Sequence, residues 1–415
     1  MEVVVVGAGP AGLAAAEVAA EAGHQVTVFD QRRSPARKFV LAGRGGLNLT
    51  HSEPIDAFLD RYGTERRYLE AAIRAFGPTE LRAWCAGLGH ETFVGSSGRV
   101  FPAEFRAVGL LRAWLARLDE LAVEIRLGHR WIDWADKAMG FETADGHVTA
   151  SFDRAVLALG GASWPRVGGD GSWVELLEDR GVEVAPLAAA NCGVQVGWTN
   201  HHADRFAGVP LKNVAVRSGG LGRLGGLGPP DGREGRDGRD GRGGLAVRGD
   251  VMVTATGLEG GPIYALARAV RDELADGASS IAIDLFPDLS VAVLGERLRA
   301  KRRPKDSAST WLGRCGFSKV AISLLREVTA NELPIEPDSL AELAKTAIVS
   351  VRSLVDLDRA ISTAGGVCWS EVDDNFVLRS HPRVAVAGEM LNWEAPTGGY
   401  LLQACFSTGR WAAAR

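Results

Sequence analysis

The chain has 415 residues, of which 46% are hydrophobic and 24% charged, and its formal net charge is −4. That composition belongs to a globular protein of two or three domains, without the basic excess that draws a chain to nucleic acid or anionic membrane and without an apolar run long enough to cross a bilayer. Its five cysteines form no CxxC pair, which argues against a disulfide framework or a redox dithiol and fits a reducing cytoplasm.

The first thirty residues, MEVVVVGAGPAGLAAAEVAAEAGHQVTVFD, organise the rest. Residues 3–6 are an apolar β-branched run, as in a strand buried on both faces of a parallel sheet. Gly7, Ala8, Gly9, Pro10, Ala11 and Gly12 follow, then an alanine-rich helical run stopped by Gly23, a second apolar run over residues 26–29, and Asp30. Gly7 permits a tight turn and Gly9 lets the backbone approach a pyrophosphate. Gly12 lets helix and strand pack closely, while the helix N-terminus favours the phosphates. Asp30 stands where a carboxylate accepts hydrogen bonds from an adenosine ribose, and Gln31 and Arg32 extend the same site. A lone GxGxxG is a weak signal; with strand, helix and acid at their spacings it marks a bound dinucleotide.

Residues 31–53 are dense in arginine, glycine and small polar residues. They read as a loop touching the ligand, where Gly43, Gly45 and Gly46 permit close backbone approach. Residues 53–122 read as helical, broken at 95–98 and by a strand at 99–101. Residues 123–127 and 130–134 read as strands, and 141–152 as a hairpin about Asp145-Gly146. Residues 154–159 form another buried strand that runs into Gly160-Gly161, and ligands of an open parallel sheet lie beyond such strand ends.

From Asn191 the pattern changes to the short alternating segments of an antiparallel β region. Residues 221–244 combine opposed charges with almost no large apolar side chain and read as a mobile loop between two strands. His201 and His202 read as surface-loop residues, and the eight histidines show no metal-ligand spacing. Residues 289–345 carry helical spacing, with a basic cluster at 297–305 that reads as a solvated helix face. Residues 384–387 form a strand followed by Gly388-Glu389, and Gly398, Gly399, Tyr400 and Leu401 open a last helix. The chain thus returns to its first domain after an insertion.

The motifs GAGPAG, AGRGGLNLTH, GRVFP, LALGGASWP, TAGGV and AGEMLNWEAPTGGYLLQ, in that order, resemble those of the BaiN-like, aminoacetone-oxidase-like family of bacterial NAD(P)/FAD-dependent oxidoreductases. The resemblance implies an α/β fold with a discontinuous, glutathione-reductase-type Rossmann FAD-binding domain, interrupted by a β-barrel-like part and a helical part. The expected divisions are an FAD-binding segment at 1–190, a β-rich insertion at 191–288, a helical subdomain at 289–345, a β-rich return at 346–372 and an FAD-binding C-terminal segment at 373–415. FAD would be held by Gly7, Gly9, Gly12 and Asp30. Lys38, Arg44, Gly45 and Asn48 fall in the loop near the flavin, with Leu47 where the wider family usually has a cysteine. Gly160 and Gly161 lie beside the diphosphate, and Gly388 and Glu389 beside the ribityl chain. Gly398, Gly399, Tyr400 and Leu401 open the last helix toward the flavin pyrimidine, where its dipole favours negative charge.

The function implied is two-electron, hydride transfer between a small organic substrate and flavin N5, with NAD(P)H or oxygen as the other redox partner. A single convincing dinucleotide motif leaves NAD(P)H as a transient donor. No catalytic base is nominated outright; Asn48 and His51 are the candidate substrate-facing groups, with ordering of their loop as the alternative role. A flavin-dependent RNA-modifying protein, supported only by the basic cluster, and a flavin-binding protein without turnover are the competing readings.

Overall fold

The computed structural model describes residues 1–219 and 246–414. They form two compact units, one of Met1–Ala189 with Leu357–Arg415 and one of Ala190–Asp356. Among the described residues no helix is long and apolar enough to cross a membrane.

The first unit is built on a five-stranded parallel sheet in the order Val384–Val386, Arg154–Leu157, Glu2–Val6, Gln25–Asp30 and Glu124–Leu127. Val5, Val28, Leu157 and Val386 are fully buried, as the unbroken apolar runs require of strands covered on both faces. The helices Pro10–Glu21 and Tyr400–Ala413 pack on each other through small residues; a Cβ at Gly409 would stand 2.1 Å from the Ala11 carbonyl oxygen. The first helix also carries a carboxylate into the core. Glu17, 1% exposed, accepts hydrogen bonds from the indoles of Trp84 (3.0 Å) and Trp114 (2.8 Å) and from Arg117 (3.1 Å), with Arg410 at 3.9 Å.

Two small antiparallel sheets complete this part of the unit. One is Arg130–Ala135, Ala138–Thr143 and Gly146–Ser151; the other places Arg99–Pro102 between Thr50–His51 and Thr92–Val94. Residues 31–53, expected as a loop, contain the helix Arg37–Ala42 and a 3-10 turn at Gly43–Gly45. Phe39, 1% exposed, anchors that helix in the core, a tertiary contact that outweighs the local glycine content. The chain re-enters this unit at Leu357 rather than at residue 373, because Ser362–Val367 pairs with Val184–Ala190 and Val367 bridges to Leu391.

The second unit has a seven-stranded antiparallel sheet in the order Ala347–Val351, Ser279–Asp284, Pro210–Ser218, Ala246–Val253, Gly257–Glu259, Val194–Gln195 and Ser353–Leu354. The helix Gly261–Ala275 lies within the region expected from sequence to be β-rich, between two of its strands. The helices Val291–Lys301, Ala308–Arg314, Lys319–Val328 and Pro337–Lys345 share one core with the strands: Leu294, Leu324 and Leu340 cluster with Val216, Val251 and Ile283. The tract 221–244, expected as a mobile loop, lies outside the described residues.

His202 is not a surface residue. It is fully buried in the helix Asn200–Phe206, against Trp198 and Phe206, with Nδ1 2.8 Å from Ser323 Oγ. Burial pushes its imidazole pKa down. Three members of the basic cluster have partners within the unit. Arg299 bonds both carboxylate oxygens of Asp338 (2.8 and 2.7 Å), Lys301 donates to the Arg314 carbonyl (3.0 Å) and Arg302 to that of Ile335 (2.8 Å).

Candidate functional site

The carboxyl ends of all five parallel strands face one cleft of about 950 Å³ in the first unit, the place where open α/β sheets bind ligands. Following the sheet from its fifth strand inward, the cleft is lined by His129 and Trp131, then by Asp30, Gln31 and Arg32, then by Gly7, Ala8, Gly9, Pro10 and Ala11. Gly160 and Gly161 come next, and Gly388 and Glu389 last.

The three glycines of the first turn have two different tasks. Gly7 has φ +105°, and a Cβ there would stand 2.3 Å from the Ala158 carbonyl oxygen; at Gly12 it would stand 1.8 Å from the Gly7 oxygen. At both positions backbone meets backbone and only hydrogen fits. Gly9 differs: no heavy atom lies within 4 Å of its Cβ position, so its missing side chain keeps the cleft open in front of the helix N-terminus at Pro10.

Asp30 is fixed by two backbone donors, the N–H of Ala8 (2.8 Å) and that of Arg32 (2.7 Å). Burial raises its carboxyl pKa, against the opposing pull of these donors and of the Arg32 charge. Arg32 donates to the Pro165 carbonyl, and Gln31 donates to the Gly168 carbonyl (2.9 Å) and to Asp170 (3.2 Å). Together they fasten residues 165–170 beside the acid.

At the other end Lys38 Nζ donates to Ser163 Oγ (2.6 Å) and pairs with Glu389 Oε2 (3.0 Å). The Thr363 hydroxyl oxygen accepts from the N–H groups of Ala162 (2.9 Å) and Ser163 (3.2 Å). Gly388 donates to Thr408 Oγ1 (3.0 Å) and accepts from the Trp393 indole (2.8 Å). Ser163, Thr363 and the cleft-lining Cys405 were not identified from sequence. The first two lie inside the LALGGASWP and TAGGV motifs, which carried that signal. Burial pushes the Cys405 thiol pKa up, away from the thiolate form in which a cysteine reacts.

The remaining candidates stand elsewhere in the unit. The Asn48 side-chain amide donates to the carbonyls of Thr50 (2.9 Å) and Val100 (3.2 Å). His51 Nδ1 accepts the Glu53 N–H (3.2 Å), so the ring proton belongs on Nε2, which reaches the Ser97 carbonyl at 2.9 Å. Both side chains are thereby engaged in ordering their own loop. His51 also lines a second, polar cleft of about 840 Å³ with Glu53 and Arg74.

Tyr400 is buried and donates to Glu53 (2.5 Å), which Arg61 also binds at 3.1 and 2.8 Å. Burial raises the Glu53 carboxyl pKa, but the bonds from Arg61 and Tyr400 outweigh it and hold the group below its ordinary value. Gly398 and Gly399 lead into that helix, Gly399 against the Thr50 backbone, and Leu401 is half-buried in its first turn. Gly45 is exposed, and the Arg44 side chain lies outside the described residues. Asn48→Ala should destabilise the unit by about 1–2 kcal/mol through two lost hydrogen bonds, read as a lower urea midpoint.

A family model described as HI0933-like protein Rossmann domain matches residues 1–415. The chain is 26% identical over 420 residues to the 3-dehydro-bile acid delta(4,6)-reductase of Clostridium scindens, across 98% of this chain and 96% of that one. It is 22% identical over 427 residues to the ribosomal RNA dihydrouridine synthase of Escherichia coli, across 100% and 97%. The open conformation of a flavocytochrome c3 fumarate reductase superposes with a TM-score of 0.52 at 14% identity, over 100% of this chain and 77% of that one. That last likeness is one of fold.

Proposed function

Because this chain belongs to the HI0933-like Rossmann-domain family and is an FAD-dependent oxidoreductase, we propose that it reduces a carbon–carbon double bond conjugated to a carbonyl in a small organic substrate, with NAD(P)H as a transient electron donor. One observation carries this. The names of the two relatives denote the same chemistry, saturation of double bonds in a 3-oxo bile acid and of the uridine ring. Each adds a hydride and a proton across a double bond that a carbonyl polarises. Oxygen in place of NAD(P)H is the other partner to be tested.

Two features of the cleft support FAD as its occupant: it runs past the strand ends, and it is open where Gly9 lacks a side chain. Residues 7–12 and the helix N-terminus would hold the pyrophosphate, with Gly160 and Gly161 beside it, and Asp30 the adenosine ribose. Gln31 and Arg32 hold the wall next to that ribose. Lys38 and Glu389 would bind the ribityl side, Gly388 being pinned beneath them. The loop with Arg44, Gly45 and Asn48, and the helix start at Gly398, Gly399, Tyr400 and Leu401, would border the flavin ring. When bound, FAD supplies hydride transfer at N5; the chain positions the substrate and excludes water.

Lys38→Met should weaken FAD binding by roughly tenfold to a hundredfold, the value of one or two charge-assisted hydrogen bonds. Titration of apoprotein by flavin fluorescence measures it. Its five cysteines, all free thiols, support a reducing, cytoplasmic setting.

The reaction is tested by anaerobic incubation of the holoprotein with NADH or NADPH and cyclohex-2-enone, with the saturated ketone as the expected product. NAD(P)H oxidation by oxygen alone, with no enone in a panel reduced, would overturn it. The second reading, a flavin-dependent RNA-modifying enzyme, draws on the dihydrouridine synthase relative. Nuclease-sensitive RNA co-purifying with the protein, and dihydrouridine formed in it, would favour that reading.

A further inference from the structure

Residues 158–172 join the strand Arg154–Leu157 to the helix Trp173–Glu178 and include the 3-10 turn Pro165–Val167. Long connections of this kind usually serve a binding site or a lid. This one leaves the cleft wall at Gly161 and returns to it at Val167, Gly168 and Gly169. Its two ends meet: a Cβ at Gly169 would stand 2.9 Å from the carbonyl oxygens of Gly161 and Ser163. The residues between are therefore a compact loop on a single root, of the Ω type.

The root is fixed. The Thr363 hydroxyl accepts the N–H groups of Ala162 and Ser163, the Trp164 N–H reaches the Asp358 carbonyl (3.3 Å), and the Trp173 indole donates to the Gly160 carbonyl (2.9 Å). The tip is held differently, by side chains from across the sheet. Arg32 donates to the Pro165 carbonyl, and Gln31 to the Gly168 carbonyl (2.9 Å) and to Asp170 (3.2 Å). Gln31 and Arg32 follow the strand Gln25–Asp30, and the strand Glu2–Val6 lies between that strand and Arg154–Leu157. These bonds therefore reach past the end of Glu2–Val6, about 10 Å from one flanking strand to the other. At that end the turn from Gly7 to Ala11 lines the same cleft. The tip is lightly packed: Trp164 is 42% exposed, Arg166 and Asp170 are exposed, and Val167 is half-buried. Trp164 also holds a left-handed φ of +58°, which is unfavourable for a bulky residue. Segments packed in this way open at low cost.

We propose that residues 164–170 are a strap that swings open to admit FAD and closes across its pyrophosphate, with Gln31 and Arg32 as the latches. The proposal rests on the assignment of FAD to this cleft. The latch bonds join one protein segment to another, so they favour the closed strap equally whether the cleft is filled or empty. Their loss shifts the opening equilibrium by the same factor in both states. The strap thus sets how fast the cofactor enters and leaves, not how tightly it binds, and Gln31 acts as a positioning residue.

The test follows FAD release from holoprotein by the rise of flavin fluorescence on dilution, and FAD entry into apoprotein by stopped flow, in the parent, Gln31→Ala and Gln31→Met. Without the two hydrogen bonds of Gln31, release and entry should both speed up about tenfold, with the dissociation constant kept within about threefold. Gln31→Met keeps the bulk of the side chain and lacks only its polar group, so it should match Gln31→Ala. Trypsin should cut after the exposed Arg166 faster in both variants than in parent holoprotein, as read by mass spectrometry. Unchanged rates or unchanged cleavage in both variants would overturn the strap. Faster release with unchanged entry, and a dissociation constant raised in proportion, would also overturn it and make Gln31 a direct contact of the cofactor. Gly9→Val, measured beside them, separates the strap from the cleft assignment. Loss of FAD from Gly9→Val with parental rates in the Gln31 variants sinks the strap and leaves the cleft standing. Full occupancy and parental rates in Gly9→Val sink the cleft, and the strap with it.

Discussion

Gly9→Val should fold like the parent and purify without FAD. Gly9 caps the first helix with φ −84° and ψ 179°, an extended conformation open to any residue, and no heavy atom beyond its two chain neighbours lies within 4 Å of its Cβ position. The added side chain therefore meets only what enters the cleft. A clash with a rigid ligand costs a few kcal/mol, so FAD should bind on the order of a hundredfold more weakly. The ratio of flavin absorbance to protein, beside a circular-dichroism melt, measures both halves. Gly12→Val is the contrast: its Cβ would stand 1.8 Å from the Gly7 oxygen, so it should lose the fold along with the flavin. A folded Gly9→Val protein with full flavin occupancy would remove this cleft as the cofactor site.

Glu17→Ala should destabilise the first unit by roughly 3–5 kcal/mol, because two indole N–H groups and Arg117 lose a buried acceptor together. The side chain is 1% exposed and ties the helices Pro10–Glu21, Pro78–Gly87 and Ala107–Glu120 at one point. Glu17→Gln keeps the shape and one acceptor oxygen, so it should cost less than the alanine variant. Denaturant unfolding followed by tryptophan fluorescence reports the change where it occurs, since Trp84 and Trp114 are the partners. An alanine variant within about 1 kcal/mol of the parent would mean that the network contributes little net stability.

Features set by near neighbours were readable in the sequence. The strand, turn, helix and acid of the first thirty residues depend on each other at short range, and the helix Pro10–Glu21 and strand Gln25–Asp30 stand where the pattern places them. Gly388 and Glu389 were readable for the same reason, as a turn directly after an apolar strand. Glu17 was not: in an alanine-rich helix an isolated glutamate looks like a solvent-facing residue, and its partners come from other helices. His202 was misjudged on the same ground, since its burial depends on Trp198, Phe206 and Ser323 folding over it. The helix Arg37–Ala42 was hidden by the glycines after it, although Phe39 gave it an apolar anchor. Ser163 and Thr363 meet across two hundred residues of chain, so local spacing could not pair them.

The claim that this cleft supports conjugate reduction is tested most directly by the second half of the catalytic cycle. Holoprotein is reduced anaerobically with NADPH or NADH and mixed in a stopped-flow instrument with a conjugated enone, while flavin absorbance is followed. Return of the oxidised flavin spectrum at a rate that rises with enone concentration, with saturated ketone formed in equal amount, is the result expected. A reduced flavin that stays bleached with every enone and reoxidises only when oxygen is admitted would contradict it.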